Sequence, residues 1–63
     1  MQIKYQVVVY THNNYIHQHK EFYYNPSEDL SEIFHYISQW LTSPFNYKIE
    51  ITKWNAKTGE KLV

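Results

Sequence analysis

The side chains that could do chemistry in this chain are four histidines, six carboxylates and a run of tyrosines, with no cysteine among them. In "YIHQHKEFYY", residues 15 to 24, rings and imidazoles alternate with other residues. As a strand, this stretch turns Tyr15, His17, His19, Glu21 and Tyr23 to one side and Ile16, Gln18, Lys20, Phe22 and Tyr24 to the other. His17, His19 and Glu21, with His12 nearby, are the donors that a metal would use. A zinc site needs three or four ligands at about 2 Å from one point, and no thiolate is present to complete the set. The spacing reads more simply as imidazoles packed across the strands from Tyr10 and Tyr15. No metal or other cofactor is expected.

Nucleophilic chemistry has less to work with. Ser27, Ser31, Ser38 and Ser43 lack a glycine elbow and a base–acid pair, and Glu28 with Asp29 reads as acidic charge at the start of a helix. A concave site is also hard to build in 63 residues. The chain is therefore expected to act without catalysis.

Binding remains. Seven tyrosines, three phenylalanines and two tryptophans make the chain ring-rich, and tyrosine suits interfaces because its ring is buried while its hydroxyl keeps a partner. Six basic residues, all lysine, balance six acids, so no net field draws the chain to nucleic acid or an anionic membrane. A protein partner is expected, either a foreign protein or a second copy that stacks its sheet on the first to form a homodimer. The partner-binding candidates are Tyr10, His12, Tyr15, His17, His19, Tyr23 and Trp54, with the acidic edge Glu28, Asp29 and Glu32 as a second set. The alternative is a single-stranded nucleic acid stacked on Tyr10, Tyr15, Tyr23 and Trp54 beside Lys4 and Lys48. Glu21 and Glu50 on the same face, and the lack of arginine, oppose it.

These side chains need elements to hold them. Residues 3 to 12, "IKYQVVVYTH", are β-branched and aromatic, apolar on both faces, and predict a central strand. Asn13 and Asn14 tolerate the positive φ of a two-residue hairpin loop, which would pair Ile3, Tyr5, Val7, Val9 and Thr11 with Tyr24, Phe22, Lys20, Gln18 and Ile16. "NPSEDLSEIFHYISQWL" predicts a helix over 26–42, with Asn25 as N-cap, Pro26 at the first helical position and Glu28 closing a capping box. Its apolar stripe would be Leu30, Ile33, Phe34, Ile37, Trp40 and Leu41. Pro44 ends it near Thr42. "NYKIEITKW" alternates as a third strand, with Tyr47, Ile49 and Ile51 on one side and Lys48, Glu50, Thr52 and Trp54 on the other. After the turn "NAKTG", residues 60–63 either pair back as a short fourth strand or fray.

The sum is a single α+β domain over 1–63: a two-layer β-β-α-β unit with one helix on a three-stranded sheet of order 2-1-3. The other sheet face is left bare. The apolar run at the start is too short and interrupted for a signal-peptide core, and no segment reaches the roughly 18 apolar residues of a membrane span, so the chain is expected in the cytoplasm, without membrane contact. One alanine, one glycine and no arginine among many Lys, Asn, Ile and Tyr residues suggest an AT-rich gene of a phage, mobile element or AT-rich host.

A hairpin ending in aromatics ("EFYYN"), an acidic-fronted helix ("PSEDLSEIFHYISQWL") and a returning strand ("NYKIEITKW") in a chain of this size resemble the small phage-encoded inhibitors of host enzymes. In element order the chain is most similar to the inhibitors of uracil-DNA glycosylase, and more loosely to anti-CRISPR proteins. The resemblance is of plan and size and implies a stoichiometric inhibitor of a host protein. Such inhibitors imitate DNA with carboxylates, for which Glu28, Asp29 and Glu32 would be the nearest equivalents. The departure is charge, because here the lysines cancel the acids.

Overall fold

The three consecutive valines and their ring neighbours form β1 (Ile3–Tyr10), which lies inside the sheet; the computed structural model describes residues 2–62. β2 (Ile16–Tyr24), α1 (Ser31–Leu41), β3 (Lys48–Asn55) and β4 (Lys61–Leu62) follow. The strand order is β2-β1-β3-β4, and every neighbouring pair is antiparallel. β2 and β3 both run against β1 and so are parallel to each other across it, as a helical crossover between them requires. β4 pairs Leu62 with Lys53 and Lys61 with Trp54. Gly59, at φ 76°, makes the turn that leads into it. Val63 lies outside the described residues. No helix among the described residues is long and apolar enough to cross a membrane.

The core lies between α1 and one sheet face. Val7, Phe22, Tyr24, Ile33 and Ile37 form it, and Tyr5, Leu30, Tyr36 and Ile49 pack around them. Three expectations need correction here.

The helix starts at Ser31, not at residue 26. Asn25 spends its side-chain amide on Glu28 Oε1, 2.8 Å away, and its carbonyl accepts the Glu28 N–H at 3.0 Å, so these residues close a separate turn instead of a capping box. Asp29 Oδ1 accepts the Ser31 N–H at 2.9 Å, meeting one of the free donors at the true start. The C-terminus agrees with the expectation, with Thr42 as the cap ahead of Pro44.

The apolar stripe is turned. Ile33 and Ile37 are buried, but Phe34 and Leu41, expected beside them, are 62% and 68% exposed. The reason lies on β2, where the Tyr36 ring meets Phe22 edge-on at 5.6 Å and takes the Lys20 ammonium over its face at 5.3 Å. These contacts pull the Tyr36 side of α1 onto β2. A helix about 10 Å across covers roughly two strands spaced 4.8 Å apart, so the Phe34 flank is left over.

The hairpin loop has three residues, not two. The Asn14 N–H donates to the Thr11 carbonyl at 2.9 Å, the Thr11 N–H donates to the Tyr15 carbonyl at 2.8 Å, and Asn14 holds φ 67°. This is the three-residue loop in which a tight turn is followed by a left-handed residue, a conformation asparagine tolerates. The longer loop sets Tyr10 opposite Ile16, and a bulge at His17 then restores the expected ladder of Val9 with Gln18, Val7 with Lys20, Tyr5 with Phe22 and Ile3 with Tyr24.

Candidate functional site

The bulge decides which rings share a surface. From Gln18 onward β2 alternates as expected, so His19, Glu21 and Tyr23 stand opposite Val8, Gln6 and Lys4 on the face away from α1. Before the bulge the phase is inverted. Ile16, expected on the core side, stands opposite Tyr10 on the open face, while Tyr15 pairs with Thr11 on the side of Val9 and Val7. β3 adds Lys48, Glu50, Thr52 and Trp54 to the open face, opposite Tyr10, Val8, Gln6 and Lys4.

The open face therefore gathers Tyr10, His19, Tyr23 and Trp54 from the expected set and gains Ile16. Tyr23 and Ile16 are more than half exposed. Val8 and Tyr10, in the central strand, are half-buried between their neighbours. Two charges of this face are matched within it: the Lys4 ammonium lies 3.1 Å from Glu21 Oε2 and 5.8 Å above the Trp54 ring. The Trp54 indole N–H donates to Thr52 Oγ1 at 3.0 Å, which fixes the ring on the sheet. Such a surface offers rings around a paired lysine and glutamate, the chemistry of an interface.

Tyr15, His17 and His12 belong to a second place, at the hairpin end. His17 stacks on Tyr47 with ring centres 4.9 Å apart, and Tyr47 meets Phe45 edge-on at 6.2 Å. Thr11, His12, Asn13, Tyr15, Phe45, Asn46 and Tyr47 surround an open recess of about 320 Å³. The Lys48 ammonium donates to Asn14 Oδ1 at 2.9 Å and ties the loop to the sheet. Phe45 was not among the sequence candidates. Its position just after the helix-ending proline carried no periodic signal, and only the folding of the 42–47 segment beside the hairpin brings it here.

The acidic residues are engaged locally. Glu28 and Asp29 hold the turn and helix start described above, and Glu32 Oε2 accepts the Tyr24 hydroxyl at 3.3 Å. Burial, and then the Glu32 carboxylate beside it, push the Tyr24 hydroxyl above the ordinary tyrosine range; burial alone pushes Tyr36 the same way. Among the described residues no group of three His, Asp or Glu side chains converges to hold a metal ion. Comparison with family models, with curated proteins and with solved structures finds no match.

Proposed function

We propose that the chain is a non-enzymatic protein-interaction module that binds a partner protein stoichiometrically through the open face of its sheet. The observation that supports this best is a face carrying Val8, Tyr10, Ile16, Tyr23 and Trp54, on which Lys4 and Glu21 are paired with each other. Covering its rings removes apolar area from water, the Lys4–Glu21 pair enters the contact already matched, and Glu50 and Lys48 on the β3 side call for complementary charge on the partner. The resemblance in element order and size gives the activity its form, a phage or mobile-element inhibitor that acts on a host protein by occupancy. Immobilised chain should retain one protein from a host lysate in a fixed ratio, and Trp54→Ala or Tyr23→Ala should lose it, with hot-spot losses of about 2 kcal/mol or more. Retention unchanged by both substitutions contradicts the reading.

A single-stranded nucleic acid is the second reading, favoured by the ring-lined recess at the hairpin end with Lys48 beside it. Salt separates the two. Binding to a charged strand weakens steeply between 50 and 200 mM salt, whereas a ring-based protein interface weakens little.

A further inference from the structure

We propose that two copies of this chain join edge to edge, β3 against β3, in an antiparallel pairing centred on Ile49 that makes their two sheets one. The inference stands independently of the partner-binding reading, since it uses an edge of the sheet and leaves the open face free.

The edge is available because β4 is short. It pairs only with Lys53 and Trp54, so the outer side of β3 from Lys48 to Thr52 has no strand beside it among the described residues. Two hydrogen bonds at the end of the strand show which groups point outward. The Asn55 N–H donates to the Glu60 carbonyl at 2.8 Å, toward β4, and the Ala56 N–H donates to the Gln2 carbonyl at 3.0 Å, on the β1 side. Backbone groups alternate sides along a strand and the β1–β3 register is unbroken, so Ile49 and Ile51 aim their N–H and C=O groups outward. Such an unpaired row is a template for another strand. Nothing on this stretch blocks one: it has no proline and no bulge, and its helix-side residues are the apolar Ile49 and Ile51. Ile51 is 44% exposed, so α1 does not cover the approach. The other long edge, at β2, carries a bulge and the inward Lys20.

The occupant is a second copy, because one register of self-pairing satisfies charge and space together. A two-fold axis normal to the sheet keeps open face beside open face, and only outward-pointing residues can form the hydrogen-bonded pairs. Ile51 against Ile51 would set Ile49 on Lys53, where β4 already lies. Ile49 against Ile49 sets Lys48 opposite Glu50 twice, unlike charges at the non-hydrogen-bonded positions where side chains come closest. One step either way from that register sets Glu50 on Glu50 or Lys48 on Lys48, which is repulsive. Among the described residues the Glu50 carboxylate has no ion pair or hydrogen bond. The Lys48 ammonium gives one donor to Asn14 Oδ1 and keeps others for it. In this register each Ile49 N–H meets the other copy's Ile49 carbonyl, and each Ile51 N–H meets the other copy's Tyr47 carbonyl. Phe45, which would be set against β4 of the other copy, precedes the strand, in a turn where the Tyr47 N–H donates to the Phe45 carbonyl at 3.1 Å. A chain of 63 residues with no cysteine also has reason to associate, since so small a core is commonly stabilised by a second chain.

Sedimentation or light scattering across a concentration series tests the proposal. The parent should move from one chain mass to two as concentration rises, and its melting temperature should rise with it. Glu50→Lys should stay at one chain mass with an unchanged far-UV helix signal, because Lys48 then faces a lysine. Lys48→Glu combined with Glu50→Lys restores unlike charges in the same register and should restore two chain masses. Ile51→Pro removes an outward N–H that the monomer does not use, so it should fold and remain at one chain mass. Tyr23→Ser, on the open sheet face, should associate like the parent. A parent that stays monomeric up to about 1 mM overturns the proposal. So does a double charge exchange that fails to restore association, an association that survives Ile51→Pro, or one that Tyr23→Ser abolishes.

Discussion

Ile37 and Phe34 sit three residues apart on the same helix and have opposite standing. Ile37 is sealed between α1 and the sheet, so Ile37→Ala leaves a cavity and should cost about 2–5 kcal/mol, a large part of what so small a domain has. Phe34→Ala should fall within about 0.5 kcal/mol of the parent, because an exposed ring leaves no cavity. Urea unfolding of the two variants checks both values. Periodicity alone placed both residues in one stripe, since it reports the apolar arc of a helix and not which part of the arc the sheet covers. Tyr24 carries a pH dependence whose sign follows from its surroundings. Its hydroxyl is held above the ordinary range by burial and by Glu32, so the neutral form is favoured more in the folded chain than in the unfolded one. The resulting stability is fully present below about pH 10, the unfolded tyrosine value, and is lost as pH rises through the higher folded value. Alkaline unfolding should therefore start later in Tyr24→Phe than in the parent, relative to each protein's stability at neutral pH.

Between residue and molecule stands the hairpin, whose loop and bulge offset each other by one residue. Because Tyr10 pairs with Ile16 and Val9 with Gln18, His17 is the extra residue, and deleting it leaves a continuous ladder in an unchanged register. The deletion should keep cooperative unfolding and the helix signal while removing the stack on Tyr47. A collapse to an uncooperative chain would show that the bulge is required. The expected pairing from Val9 to Ile3 is found although its premise, a two-residue loop, is not, because the bulge at His17 offsets the extra loop residue. The loop length was not legible in the sequence, because Asn13 and Asn14 suit a two-residue and a three-residue turn alike. That ambiguity is why Tyr15 and His17 were placed with Tyr23 when they lie at the hairpin end. The bulge, together with Lys20 aimed inward over Phe22 and Tyr36, also guards the outer edge of β2 against pairing with another strand.

The whole molecule presents two apolar surfaces back to back, one on the bare side of the sheet and one beside the helix. The architecture behind them was readable: alternation marked the strands, the proline and the apolar period marked the helix, and the crossover rule placed β1 between β2 and β3. The offset of α1 over β2 was not readable, because it follows from ring contacts between Tyr36, Phe22 and Lys20 that no local pattern encodes. The account rests most on the open sheet face, and photo-crosslinking tests it most directly. A photoreactive phenylalanine analogue placed at position 23, on that face, should join the chain covalently to one partner protein in host lysate, in a nuclease-resistant product. The same analogue at position 15, at the hairpin end, should give no such product. Crosslinking at position 15 and not at 23, or a product that nuclease destroys, would contradict the account.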